Sequence, residues 1–361
     1  MTGGLCDLAI LVLESRVSLS PRLMSAYHNG SIDYRHHVPP LRPAVYHFRP
    51  FRNTDPPRLA EIWRDHPPQR GLAQPVTAGI LEQFVFSKPY FDPAGLIVAL
   101  DDNVPVGFAH AGFGPNDEQT AITTEIGTTY QLMLRREHRD AALAGELLSR
   151  CEAYLRERGA KVIYAGGIRP LNAFYLGLYG GSELPGILVG DDVFNAACRE
   201  AGYREIDRVV VLLLELAGFR PPTARNIRQL RREVSCQETQ APPTRTWWEA
   251  CTTGAFERIR FFVTRSGGGE PLADVWFWDV EPLSSSWGAP AAGMFDLSVP
   301  TDQRRKGLAT FLLGEAFDRL RTRGVLLVEA QTMQHNAPAL AIYQKLGFKK
   351  VDEGVVYRKD A

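Results

Sequence analysis

The sequence predicts an α/β protein with a mixed sheet, built twice over in tandem. Three observations predict it: an internal repeat, strand-period segments alternating with helix-period ones in each copy, and a strand–cationic turn–helix in the second copy. At 361 residues the chain exceeds one ordinary domain. The divisions read from it are an extension over 1–45, a first domain over 46–217 and a second over 218–361.

The repeat is clearest where "LMLRREHRDAALAGELL" (Leu132–Leu148) is set over "LSVPTDQRRKGLATFLL" (Leu297–Leu313). Apolar residues coincide at the first, third, twelfth, thirteenth and last two positions, and Arg139 coincides with Arg304. The match runs on through "YLRERG" and "RLRTRG", basic helix ends closed by Gly159 and Gly324. With one residue of slippage, "NAFYLGLY" (Asn172–Tyr179) lies over "NAPALAIY" (Asn336–Tyr343). That alignment predicts, in both copies, a short helix opened by asparagine and carrying a tyrosine.

In the first copy "YHFRPFR" reads as a strand, and "DPPRLAEIWRDH" and "TAGILEQFVFSK" as amphipathic helices. "GLIVALDDNVPVGFAHAGF" is two strands around an Asp-Asn turn. "TYQLML" is a strand, "AALAGELLSRCEAYLRERG" a helix, "AKVIYAGGI" a strand, and "RVVVLLLEL" (Arg208–Leu216) an apolar strand suited to mid-sheet. The glycine-rich "GLYGGSELPGILVGDDVF" (Gly177–Phe194) reads as a functional loop or a surface excursion. "GFRPPTARN" (Gly218–Asn226) punctuates the boundary. The second copy offers helices near 223–234 and 245–253, strands near 257–265 and 271–280, a strand ending "FDLSV", a helix, and the strand "VLLVEAQTM". It shows no first strand of its own: either that strand is lost, or "RVVVLLLEL" serves both halves.

Lys plus Arg and Asp plus Glu balance at 41 each, which argues against nucleic acid and membrane partners. Five scattered cysteines without close metal-ligand pairing fit reduced thiols in a cytoplasmic protein, with no metal. "LAILVL" (Leu8–Leu13) is too short for a membrane span and lacks a cationic leader. The "NGS" at Asn29 reads as a chance sequon.

"RRKGLA" (Arg304–Ala309) fits the Arg/Gln-x-x-Gly-x-Gly/Ala signature of the GNAT acyl-CoA N-acyltransferases, and "NAPALAIYQKLGF" (Asn336–Phe348) resembles that family's second conserved block. The resemblance covers nearly all of the second half and, more faintly, the first from about residue 46. It implies two tandem GNAT domains and an acetyl-CoA-dependent N-acetyltransferase. The unpaired N–H groups of a helix's first turn, around Leu308, would join Arg304, Arg305 and Lys306 in cradling the coenzyme A pyrophosphate. Gly307 would admit its oxygens, and Ala309 keeps the helix face small. By the same resemblance the backbone at Leu297 and Val299 would hold the pantetheine arm, with the N–H near Val299 stabilising the oxyanion. Asn336 would contact that arm or cap the next helix. Tyr343 would protonate the leaving thiolate after direct attack by an amine.

The first copy departs: Ala142 replaces the glycine and Asp140 puts a negative charge opposite Arg305. Both oppose a pyrophosphate, so one working site is expected, in the second half. No general base is evident. Family members place one where this chain has Gly293 and Phe295; strand alternation turns Asp296 away from Phe295, and Glu281 is a further candidate. The acceptor is expected to be a small-molecule or peptide amine and the chain a monomer, its halves already paired. The alternatives are a non-catalytic CoA-binding or interaction module, or an acyltransferase with another donor.

Overall fold

The structure, a computed structural model, describes residues 45–361. The extension expected over 1–45, apart from Val45, lies outside the described residues, and so do Leu8–Leu13 and Asn29.

The first half runs β1 (His47–Pro50), α1 (Pro56–Asp65), α2 (Ala78–Leu81), β2 (Leu96–Asp101), β3 (Val104–Pro115), β4 (Ile122–Leu134), α3 (Ala141–Glu157), β5 (Val162–Ala165), β6 (Ile187–Leu188), α4 (Asp192–Glu200) and β7 (Arg204–Glu215). The second runs α5 (Arg225–Glu233), β8 (Val234–Gln240), α6 (Trp247–Thr253), β9 (Arg258–Arg265), β10 (Ala273–Asp279), α7 (Glu281–Trp287), β11 (Ala291–Ser298), α8 (Leu308–Thr322), β12 (Leu327–Met333), α9 (Ala337–Leu346) and β13 (Lys349–Asp360).

Most expected elements stand. "TAGILEQFVFSK" is a shorter helix than its pattern predicts: α2 passes into a single π turn over Glu82–Phe86. The second half does have a first strand, β8, hidden by the polar "SCQETQ" of an edge position where one face meets solvent.

The strands join in one sheet, in the order β1-β2-β3-β4-β5-β13-β7-β12-β11-β10-β9-β8, with β6 beside β13. Pairing is antiparallel except for β4–β5 and β11–β12, one parallel pair in each half. The last strands are exchanged. β13, from the second half, lies between β5 and β7, and β7, from the first, lies between β13 and β12. "RVVVLLLEL" thus sits mid-sheet, as its composition demands, and pairs only with strands of the other half.

Helices α3 and α8 each follow the first strand of a parallel pair and cover its sheet. Helix α8 buries Phe311, Leu312, Leu313, Phe317 and Leu320 against Phe261, Phe277 and Val328. Each such side chain contributes about 1.5–3 kcal/mol. A separate core of α1, the 171–184 segment and Trp248, Trp276 and Trp278 fills the junction of the two halves.

Candidate active site

Beyond Met294↔Ala330 the parallel strands β11 and β12 part, and residues 295–298 pair only with β10. There Asp274↔Ser298 follows Trp276↔Phe295, so β11 carries one extra residue, a bulge at Asp296–Leu297 with φ +52° at Asp296. The bulge cancels the alternation that would turn Asp296 away: Asp296 and Phe295 border the same cavity. Its carboxylate is held by Arg169 of the first half (3.0 Å) and Arg245 of the second (2.5 Å), which keep its pKa below the usual carboxylate range against the effect of burial.

Past the bulge come Val299, a short turn over Thr301–Gln303, and the three cations. They stand on the loop, because α8 begins only at Leu308. Arg304 Nε donates to the Val299 carbonyl (3.1 Å) and Lys306 Nζ to Gln303 Oε1 (2.9 Å). Among the described residues none of the three cations has an acidic partner, and the N–H groups from Arg305 through Thr310 find no acceptor. Gly307 opens the helix at φ +86°, and a Cβ there would meet the Asn226 amide at 2.9 Å. Arg305 is also left-handed (φ +63°). Successive N–H groups in such a turn converge on one point, a concavity suited to an anion.

Asn336 caps α9, its Oδ1 accepting from Ala339 N–H (3.4 Å) and its Nδ2 donating to Thr332 (3.0 Å). Tyr343, on the next turns, is buried with its ring 5.2 Å from Phe348. Burial raises its pKa, and the carboxylates of Glu183 and Glu329 push the same way, so the phenol stays neutral.

The first half fills the corresponding space. Asp140 caps α3 by accepting Leu143 N–H (2.8 Å), Asp65 accepts Arg136 N–H (2.7 Å), and Arg139 pairs with Asp192. The gap above β4, bordered by His66, Leu132, Leu134, Arg139 and Phe194, holds about 10 Å³, scarcely one water. Buried Asp191 closes it, accepting from Gln69 (2.6 Å) and lying beside His66 (3.3 Å) and the Tyr179 hydroxyl.

The expected short helix over Asn172–Tyr179 is absent. Tyr175 and Gly177 have positive φ, which ends any helix, and the segment lies buried at the junction. The true counterpart of α9 is α4: each precedes a Gly-aromatic pair (Gly202-Tyr203, Gly347-Phe348) and a long last strand. Cys198 therefore stands where Tyr343 does, and Tyr179 is no repeat of it. The Gly177–Phe194 segment is no surface excursion either; most of it is buried, with Gly181 over Glu329 and the Ser182 carbonyl accepting from Trp278 (3.0 Å). Glu281 opens α7 beside Glu257 and Asp279, around a separate groove at the Ala291–Ala292 end of β11, away from the bulge.

Two acids that the sequence pattern does not single out act electrostatically on Tyr343. Glu329 lies on β12, where alternation sends Val328 and Ala330 into the second core and Glu329 to the opposite face. It is fully buried beneath Gly181 and Ser182, accepts Ser182 N–H, and burial lifts its pKa to about 7. A Cβ on Gly181 would lie 2.5 Å from its Oε1, so only glycine fits over this carboxyl. A lone acid between Val328 and Ala330 in a buried strand was the available signal. Glu183 follows in the same segment, its carbonyl held by Gln331 Nε2 (2.8 Å).

A cavity of about 620 Å³ opens between the halves at the bulge, walled by Trp248, Trp276, Trp278 and Phe295 and by the Arg169–Asp296–Arg245 cluster. That volume suits a small molecule or a short peptide end. Among the described residues no group of three or more His, Cys, Asp or Glu is placed to hold a metal, and no helix is long and apolar enough to cross a membrane.

A parallel pair that parts above a glycine-led cationic loop, with a buried tyrosine behind it, defines an acyltransferase class of fold. The sequence pattern of the Acetyltransferase (GNAT) family matches the chain twice, over 57–180 and 225–348. The chain belongs to that family, as a member with two GNAT domains in tandem. It is 39% identical over 59 residues to the [Ribosomal protein bS18]-alanine N-acetyltransferase of Salmonella typhimurium, covering 16% of this chain and 40% of that protein. It is 31% identical over 111 residues to the mycothiol acetyltransferase of Saccharomonospora viridis, covering 30% of this chain and 36% of that one. The matched stretches thus span about two fifths or less of those relatives' lengths. In fold it is similar to a tandem GNAT protein from the clavulanic acid biosynthesis pathway (TM-score 0.58, 15% identity, 88% of this chain and 98% of that chain). It is also similar to a GCN5-related N-acetyltransferase from Sphaerobacter thermophilus (TM-score 0.58, 14% identity, 87% and 95%).

Proposed function

We propose that the second half transfers an acetyl group from acetyl-CoA to a primary amine that enters through the cavity between the halves. One contrast carries this reading. Among the described residues, the 303–310 stretch offers cations without acidic partners and free N–H groups beneath an open strand splay, while the same place in the first half is capped, ion-paired and closed.

Arg304, Arg305, Lys306 and the N–H groups of Gly307, Leu308 and Ala309 bind the pyrophosphate. The unpaired edge of β11 at Leu297, continued at Val299, lines up the pantetheine arm, with Asn336 beside it on the far wall. Amide N–H groups near the bulge face the thioester carbonyl and take up the charge that develops on its oxygen. The amine nitrogen attacks the carbonyl carbon, the C–S bond breaks, and Tyr343 protonates the sulfur. Both curated relatives are named as acetyltransferases, which supports the reaction class; the acceptor of this chain is a small amine or a peptide N-terminus of a size to fit the cavity.

Isothermal titration with acetyl-CoA tests the reading. One site per chain is expected. Two sites would mean that the first-half cleft opens, and no binding would refute the proposal.

A further inference from the structure

Resting on that reading, we propose that the half with the closed cleft still takes part in the chemistry: Glu183, on the loop from the first half, receives the proton of the attacking amine in the second. The charges of two carboxylates, Glu183 and Glu329, act on the Tyr343 phenol. Only one of them reaches the acceptor's side. Glu329 is sealed under Gly181 and Ser182, with no exposed surface. Glu183 borders the large cavity, with 28% of its side chain open.

Glu183 pairs with Arg169 (3.4 Å) and, through it, is linked to Asp296 at the bulge, while its charge is felt at Tyr343. The charged groups that act on it are Arg169 from the loop before the segment and Asp296 from β11, and it acts in turn, with Glu329 of β12, on Tyr343 of α9. Burial and the Asp296 charge make its carboxyl a stronger proton acceptor than an ordinary one, and Arg169 works against them in favour of the anion. The backbone under it is fixed by Gln331 to the Glu183 carbonyl and by Ser182 N–H to Glu329. Glu329 is therefore a positioning residue, pinning the segment that carries Glu183.

The protons balance within this set. As the N–C bond forms, the amine proton passes to the Glu183 carboxylate; as the C–S bond breaks, the sulfur takes the Tyr343 proton. Glu183 then returns its proton to the tyrosinate, which its own neutralisation brings within range, and the chain is restored with acetylamine and free thiol as products.

The test is thiol release from acetyl-CoA by the full chain, with an alanine-initiated peptide as the probe amine and water as the acceptor in its absence. Glu183→Gln should lower kcat about 100-fold and abolish the acid limb of the pH–rate profile, with acetyl-CoA affinity and melting temperature unchanged. Formate should restore part of the rate in Glu183→Ala. Glu329→Gln should keep the acid limb. A Glu183→Gln enzyme with wild-type rate and profile overturns the assignment alone, as does a Glu329→Gln enzyme that loses the limb while Glu183→Gln keeps it. A wild-type chain that releases no thiol with either acceptor overturns the transfer reading, and this assignment with it.

Discussion

Gly307 lets the anion-binding role proposed for the loop be separated from its folding role. At φ +86° any L side chain costs about 1–2 kcal/mol of backbone strain. An alanine Cβ would meet Asn226 Nδ2 at 2.9 Å, the free end of a side chain that can swing aside, and Ile227 and Leu230 at an ordinary 3.5 Å. Gly307→Ala is therefore expected to lose only the strain energy, a few degrees of melting temperature at ~2–4 °C per kcal/mol. Gly307→Glu has the same backbone penalty and adds a carboxylate to the loop. At about 5 Å from a phosphate, with an effective dielectric near 20, the repulsion is about 3 kcal/mol, less after salt screening. The glutamate variant should thus bind acetyl-CoA ~10–100-fold more weakly than the alanine variant at matched melting temperature, and the gap should narrow as salt rises. Ala142→Glu, on the exposed start of α3, should leave binding alone. Calorimetric titration of the three variants, beside thermal melts, reads all of this. Equal affinity for the Gly307→Ala and Gly307→Glu chains would refute an anion at this loop.

Tyr343→Phe should lower kcat about 100-fold with little change in acetyl-CoA affinity or melting temperature, because its hydroxyl makes no hydrogen bond among the described residues; wild-type turnover by that variant would remove the tyrosine from the mechanism. Glu329 ionises near 7 when folded against 4.5 as an ordinary side chain, so its stability contribution is full below about pH 4.5 and is lost as pH rises through 7. The loss is about 3 kcal/mol at 1.36 kcal/mol per pKa unit. Melting curves from pH 5 to 8 should fall more steeply for the wild type than for Glu329→Gln; parallel curves would show that the buried carboxyl does not take up a proton on folding.

The repeated strand–turn–helix was legible in the sequence because its determinants are local: apolar period, a glycine at positive φ, a run of cations. The negative charge at Asp140 and the alanine at 142 in place of glycine could be read the same way, since each acts within one helical turn. What could not be read depends on contacts distant in sequence. The "NAFYLGLY" segment shares letters with "NAPALAIY", yet Tyr175 and Gly177 turn it out of helix and α1 and Trp248 bury it. The match of residue types outweighed the better landmark, the Gly-aromatic pair that ends both α4 and α9. Asp296 escaped because a one-residue bulge reverses the side of the strand it faces, and no residue type announces a bulge. Glu183 and Glu329 come together only because the first half's loop crosses the second half's sheet.

The exchange of β7 and β13 explains why a half without its own cleft persists. Truncation of the first half would take β7 away from β12 and leave the strand that flanks the splay with a bare edge; truncation of the second would strip β5 of β13. Neither copy can be discarded by a single deletion, as a bead could be cut from a string. The duplication is thus a one-way step: with the strands crossed, the first half can change its own loop but cannot leave, and its inheritance is secured by the sheet.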